Sequence, residues 1–156
     1  MLTIYNGDLL DSEAQYIAHQ ANCVSKGAAG VARAIYNKYP YSDVYYRRTS
    51  PSSMGEIEIC GNDDNERFII NMFAQYYPGE SHYVEDMPDH RLVAFKSCLD
   101  KIANRIKMES IAFPYLIGCG LGGGNWNAYL EILINFAEKV YLKNNTSVYL
   151  VKKDML

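Results

Sequence analysis

The fourteen residues from Phe113 to Trp126 constrain this chain more than any other stretch, because five glycines separate a strand-like apolar run from a helix-like amphipathic one. The run before them is Ser110 to Phe113, and the helical pattern begins near Trp126. Glycine carries no side chain and reaches positive φ freely, so Gly118, Gly120, Gly122, Gly123 and Gly124 let the backbone wrap a ligand and aim several N–H groups at it. A strand, a glycine-rich turn and a helix N-terminus together form a common phosphate-holding arrangement. The loop lacks the Lys-Ser/Thr ending of a Walker P-loop, and its spacing is not that of the dinucleotide fingerprint. Ordinary NTPase and dehydrogenase readings are therefore weak. A loose surface turn is the plain alternative, but it does not call for three glycines in succession.

With 156 residues the chain fits one domain, 1–156, long enough to bury a conventional core. Apolar residues at 49% and charged residues at 21% argue against disorder. A net charge of -3 and a pI near 5.6 leave no electrostatic footprint for a long nucleic acid, although backbone dipoles can still hold a small anion. The start, Met1 to Asp8, reads as a strand and turn and not as a charged leader, and no segment is apolar and long enough to span a bilayer. The expected setting is intracellular, cytoplasmic or nuclear, with no membrane partner. Cys23, Cys60, Cys98 and Cys119 lack metal-type pair spacing, so reduced thiols are expected in place of a disulfide framework or zinc site. His19, His82 and His90 do not change that expectation, and no cofactor is implied.

Hydropathy patterning predicts strands over Leu2 to Tyr5, Tyr16 to Ala21, Ile57 to Cys60, Arg67 to Phe73, Ser110 to Phe113 and Ser147 to Val151. The second strand should be central. The polar turn Gly61 to Glu66 predicts a hairpin between the third and fourth. Helical spacing appears at Val31, Ala32, Ile35, Tyr36 and Tyr39, stopped by Pro40, again at Leu92 to Ile106, and again at Trp126 to Val140. Tyr76 to His90 is the least regular stretch, and a loop of that length in a compact domain is usually functional or mobile. Strands alternating with helices plus one hairpin predict an α/β fold: a mixed central sheet with helices on both faces. In such folds ligands collect at the carboxyl ends of the strands.

Three loops should meet there. Asp8 follows the first strand, where its carboxylate suits an adenine amino group and the next backbone N–H suits a ring nitrogen, although a turn-stabilising aspartate explains it equally. Asn22, just past the second strand, can hold vicinal ribose hydroxyls or bridge its own loop. The stretch Lys26, Gly27, Ala28, Ala29, Gly30 either brings backbone close to a ligand or merely starts a helix. The aromatics Tyr36, Tyr39, Tyr41, Tyr45 and Tyr46 beside Arg47 and Arg48 would suit RNA, but the acidic balance favours tyrosines that cover the sheet and helix ends.

Taken together, His19 to Ala32, Asn71 to Gln75 and Pro114 to Trp126 resemble the macrodomain family, in order and in spacing, with the likeness running from about Leu2 to Val151. The nearest likeness is to the branch of terminal ADP-ribose protein glycohydrolase, the yeast-type ADP-ribose-1''-phosphate phosphatase and small phage and bacterial stand-alone domains. The resemblance implies a single three-layer α/β/α sandwich that takes ADP-ribose or a derivative, free or carried on protein or nucleic acid. It implies that Asp8 and the Leu9 backbone read adenine, and that Gly118, Cys119, Gly120, Leu121, Gly122 and Gly123 wrap the diphosphate. Asn22 and Lys26 to Gly30 would face the distal ribose. Where many relatives have Gly-Ala-Gly, this chain has Ala28-Ala29-Gly30, so a methyl group at Ala28 is expected to crowd that ribose.

The glycohydrolase of this branch uses an attacking lysine and a resolving aspartate, positions that fall here at Gln75 and Gly122. A neutral amide is no amine nucleophile and glycine carries no acid, so a covalent-lysine route is not expected. Hydrolysis of a distal-ribose derivative by an oriented water remains, as in Appr-1-p processing or deacylation, beside non-catalytic reading of ADP-ribose. Asn22 and Gln75 are the candidates to hold such a water. His19, with an ordinary pKa of about 6.5, is the candidate proton carrier, although its apolar neighbours also fit a core histidine. Cys119 lacks the following arginine of a cysteine phosphatase.

Overall fold

A computed structural model describes residues 2–64, 66–81 and 83–153. Thus His82, and Asn65 of the predicted hairpin turn, lie outside the described residues. Six strands form one sheet: β1 (Leu2–Asn6), β2 (Tyr16–Asn22), β3 (Ile57–Cys60), β4 (Phe68–Gln75), β5 (Ser110–Pro114) and β6 (Ser147–Lys152), in the order β1-β6-β5-β2-β4-β3. Every pairing is parallel except the β3·β4 hairpin, in which Ile57 faces Met72 and Cys60 faces Ile69. The chain moves from β2 towards one edge and from β5 towards the other, so the strand order reverses between β2 and β5. This is the switch point at which open α/β sheets leave a crevice beyond their carboxyl ends.

The helices are α1 (Gly30–Lys38), the single turn α2 (Val44–Arg47), α3 (Pro88–Arg105) and α4 (Trp126–Asn144). The period-2 pattern of the buried strands splits their side chains between two cores. Ala18, Ile70, Met72, Ile111, Phe113 and Leu150 meet Phe95, Leu99, Ile102, Leu133, Phe136 and Val140 of α3 and α4. Ile17, Ile69, Phe73, Ala112 and Val151 meet Ile35 and Tyr36 of α1 and Tyr45 of α2. The result is the expected three-layer sandwich with a mixed sheet. Helix ends follow their chemistry: Asn125 Oδ1 accepts the Asn127 amide to start α4, and Asn145, at φ 57, closes it in the left-handed conformation. Among the described residues no helix is long and apolar enough to cross a membrane.

Short helical turns escaped the hydropathy pattern, among them the 3-10 turns Leu9–Asp11 and Val84–Asp86. The turn α2 and its flanking 3-10 turn Pro40–Ser42 lie where only loop was expected. Here tyrosines act as packing: Tyr36 and Tyr45 are buried and meet edge to face at 5.4 Å, and the Tyr45 hydroxyl accepts the Asn22 amide at 2.8 Å. Tyr41 donates to the Arg67 carbonyl at 2.7 Å, leaving Tyr46 as the broadly exposed ring of that group. The covering role weighed for these rings in the sequence is the one they have.

Candidate functional site

A cleft runs across the carboxyl ends of the strands in two adjoining chambers of about 510 and 480 Å³ that share Gly30, Val31, Pro114 and Tyr115. The smaller is walled by Asp8, Leu9, Val31, Tyr115 and Lys153. Asp8 Oδ1 accepts the Leu10 amide at 3.0 Å, so the residue does stabilise its turn, and the side chain remains exposed at the chamber wall. The turn-stabilising reading of Asp8 therefore holds, and its carboxylate still lines the chamber.

The larger chamber is bounded by the start of α1 on one side and the glycine loop on the other. Helix α1 starts at Ala29 with no side-chain cap and no acidic residue in its first turn. Its first amide with a backbone acceptor is that of Arg33, at 3.4 Å from the Ala29 carbonyl, so the Gly30, Val31 and Ala32 amides are unpaired among the described residues. Across the cleft, the loop bonds internally through Cys119, Gly123 and Gly124, whose amides reach the Leu116, Gly120 and Gly118 carbonyls. The Gly120, Leu121 and Gly122 amides are left with no acceptor among the described residues. Two sets of free N–H groups therefore line one chamber, and one of them sits at the positive end of a helix dipole. Helix-start and glycine-turn amides that face open space without a protein acceptor are where anions bind, so the arrangement suits an anion that bridges both walls.

The loop's shape depends on glycine chiefly at Gly118, where φ is 77° and an added Cβ would lie 2.6 Å from the Tyr129 ring. At Gly30, φ is 57° and the Leu121 side chain reaches to within 2.9 Å of where a Cβ would sit, so the two walls touch above the chamber.

At the far end of the chamber stand Asn22, Ser25, Gln75, Pro78, Gly79 and Gly122. Asn22 Oδ1 accepts the Val24 and Ser25 amides at 3.1 and 2.8 Å, while its Nδ2 has no partner among the described residues. Bridging its own loop therefore leaves a donor for a ligand. Gln75 is less free, since its Oε1 accepts from Gln20 Nε2 at 2.8 Å and its Nε2 donates to the Tyr77 carbonyl at 2.9 Å. No lysine or carboxylate lines this chamber among the described residues. A carboxylate at Gly122 would also be hard to fit, because a Cβ there would lie 2.8 Å from the Gly118 carbonyl oxygen.

His19 lies at the floor, 1% exposed. Asn71 Nδ2 donates to the Ser42 carbonyl and to Glu58 Oε1, so Asn71 Oδ1 is the acceptor of both the Tyr36 hydroxyl at 2.8 Å and His19 Nε2 at 2.6 Å. His19 therefore carries its proton on Nε2. Burial lowers its pKa to about 4, and the Asn71 bond offsets this only in part. The ring is held by Asn71 as a core histidine would be, but its Nδ1 is buried without a partner among the described residues and the ring borders the chamber. The lowered pKa leaves it neutral near pH 7, which counts against the proton-carrier expectation.

Several other expectations shift. Lys26 Nζ donates to the Arg48 carbonyl at 2.8 Å and stands outside the chamber lining. The Ala28 methyl packs with the α1-side core, so it does not crowd the chamber as expected. Cys119 packs towards the α3/α4 core, where burial pushes its thiol up to about 11, and a thiol so rarely ionised is no nucleophile. A side chain at Gly123 would point at Glu80 and not into the cleft. Gly27, Ala29, Gly30, Gly118, Gly120, Leu121 and Gly122 line it as expected.

The sequence reading missed the ion pair beneath the glycine loop. Asp86 and Arg91, 0% and 3% exposed, meet at 2.6 Å between the irregular stretch and α3. Burial raises the Asp86 carboxyl, but Arg91 and the Tyr76 and Tyr77 amides together hold it below its ordinary value. Nothing in the spacing of two charges around Met87 and Pro88 marks them as buried, since charges at a helix start are usually solvated.

The macro domain model matches residues 18–133 of this chain. The chain belongs to the macro domain family. By structure this macro domain is similar to the macrodomain of Thermus aquaticus DarG, at a TM-score of 0.70 and 22% identity over 97% of each chain. It is also similar to an Oceanobacillus iheyensis macrodomain variant with ADPR, at 0.71 and 20% identity, covering 97% of this chain and 84% of that one. The Trypanosoma brucei macrodomain in complex with ADP-ribose aligns at 0.68 and 16% identity, covering 96% of this chain and 63% of that one. By sequence, an uncharacterized Sulfolobus acidocaldarius protein is 32% identical over 124 residues, which is 76% of this chain and 64% of the relative. An uncharacterized 17.5 kDa protein of phage T4 is 24% identical over 148 residues, or 86% of this chain and 88% of the relative.

Proposed function

We propose that this macro domain binds ADP-ribose along the two-chamber cleft, with adenine at Asp8 and Leu9, the diphosphate between the two amide walls, and the distal ribose at Asn22. The observation that carries the reading is the pair of opposed, acceptor-free amide sets at Gly30–Ala32 and Gly120–Gly122. A diphosphate supplies oxygens to both sets at once, and the Asp8 chamber adjoins them at Gly30, Val31, Pro114 and Tyr115. The complexes of the Oceanobacillus and Trypanosoma macrodomains with ADPR and ADP-ribose support the same ligand. Titration calorimetry with ADP-ribose should give one site per chain, and absence of binding would overturn the reading.

A second reading is hydrolysis of a distal-ribose derivative, either the 1''-phosphate, the O-acetyl ester or ADP-ribose on a macromolecule. The observation that favours it is the unpaired Asn22 Nδ2 beside Gln75 at the chamber end, a donor able to hold a water against the distal ribose. Among the described residues the chamber lining holds no lysine to form a covalent adduct. Incubation with these derivatives and product identification tests it: unchanged substrates throughout would leave a reader of ADP-ribose. The four free cysteines support an intracellular setting.

A further inference from the structure

Arg91 does not line the cleft, yet both loops at its distal end hang from it. Its Nε donates to Asp86 Oδ1 at 2.8 Å and its Nη2 to Asp86 Oδ2 at 2.6 Å. The remaining donors go to main-chain carbonyls: Nη2 to Tyr77 at 3.2 Å, and Nη1 to Gly79 at 2.7 Å and Gly122 at 3.2 Å. A guanidinium has five N–H bonds, and all five are used. The Asp86 carboxylate is equally committed, because it also accepts the Tyr76 and Tyr77 amides at 3.0 and 3.1 Å. One buried fork thus joins Gly79 and Gly122, two residues of the cleft wall that come from different loops.

We propose that Arg91 is a positioning residue for diphosphate binding: by holding the Gly122 carbonyl on the buried side it withdraws that negative end from the cleft and keeps the Gly120–Gly122 amides set for phosphate oxygens. The proposal rests on the ADP-ribose reading of the cleft. Stability alone is a poor reason for the pair, since an apolar replacement of like volume is often as stable as a buried ion pair. An apolar pair could not gather three carbonyls from two loops. A lysine could not either, because the three donors on its single nitrogen would have to serve the Asp86 carboxylate as well as those carbonyls.

The test compares ADP-ribose, ADP and adenosine on the natural protein, Arg91→Lys and Arg91→Gln. Both variants should bind ADP-ribose and ADP at least tenfold more weakly by calorimetry, while adenosine affinity, read by NMR titration, should stay within twofold. Arg91→Lys keeps the charge, so its failure to restore binding separates fork geometry from charge. Unchanged ADP-ribose affinity in a folded variant, or equal weakening of adenosine, overturns the role. If neither variant folds, the natural protein decides by NMR: the Arg91 Nε–H resonance should shift with ADP-ribose and not with adenosine, and a silent resonance overturns the role. Failure of the natural protein to bind ADP-ribose overturns the cleft reading and this role together, whereas binding with indifferent variants overturns the role alone.

Discussion

At Gly120 an added Cβ meets no heavy atom within 4 Å, although the residue lines the cleft. Gly120→Val should therefore weaken ADP-ribose binding at least tenfold, about 1.4 kcal/mol, with little change in thermal midpoint. Gly118→Ala should do the reverse, lowering the midpoint because its Cβ has nowhere to go beside Tyr129. Differential scanning fluorimetry with calorimetry separates the two, and a Gly120→Val protein that binds normally would move the diphosphate elsewhere. Asp8→Ala should weaken ADP-ribose about tenfold and ribose 5-phosphate hardly at all, because the carboxylate lines only the smaller chamber, the one proposed for adenine. Equal losses for both ligands would remove Asp8 from adenine recognition. His19 sets a pH dependence. Its folded pKa of about 4 lies below the ordinary 6.5, so the unfolded chain takes up the proton first as pH falls. Its contribution is intact above pH 6.5 and is lost as pH drops towards 4, by about 3 kcal/mol at most. Denaturant titrations at several pH values should show a shallower slope over that interval for His19→Gln, and an unchanged slope would mean that His19 does not govern it.

Among elements, α1 is the one whose sequence withholds ordinary stabilisation. Ala29 has the extended backbone of an N-cap, φ -137° and ψ 164°, but supplies no acceptor. Ala29→Asp should cap the helix and raise stability by about 1 kcal/mol. The same carboxylate would occupy an amide and repel phosphate, so ADP-ribose affinity should fall even as the melting temperature rises. A variant that gains stability without losing affinity would place the anion away from the helix start. The glycine loop and the stretch after β4 behave as one unit for a related reason, because the Asp86–Arg91 pair ties them and removing one partner would leave a buried charge unmatched. The stretch that the sequence marks as functional or mobile is tied down by a charge pair, Asp86 near its end and Arg91 just beyond it, that sequence spacing cannot reveal.

For the molecule as a whole, the sheet is shared by two cores, so damage on one face should be felt across the domain. Phe95→Ala, at a fully buried site between α3 and the sheet, should cost about 3–5 kcal/mol in denaturant unfolding and lower affinity only through the folded fraction. All six strands and the three long helices were legible in the chain, because burial on one side or both imposes period 2 or 3.6 on apolar residues and glycine and proline mark the ends. The glycine loop was legible for the same local reason: close backbone approach requires the absence of Cβ at those positions. Other features were not local. The α2 turn, the bond from His19 to Asn71, the turning of Ala28 and Cys119 away from the cleft and the Asp86–Arg91 fork depend on which residue distant in the chain lies opposite. Periodicity determined the layers and the loop that could hold phosphate. Only the tertiary structure decided which way each polar side chain faces, because that choice depends on partners brought together from separate strands and loops, as Asn71 fixes His19 and Arg91 fixes Gly122.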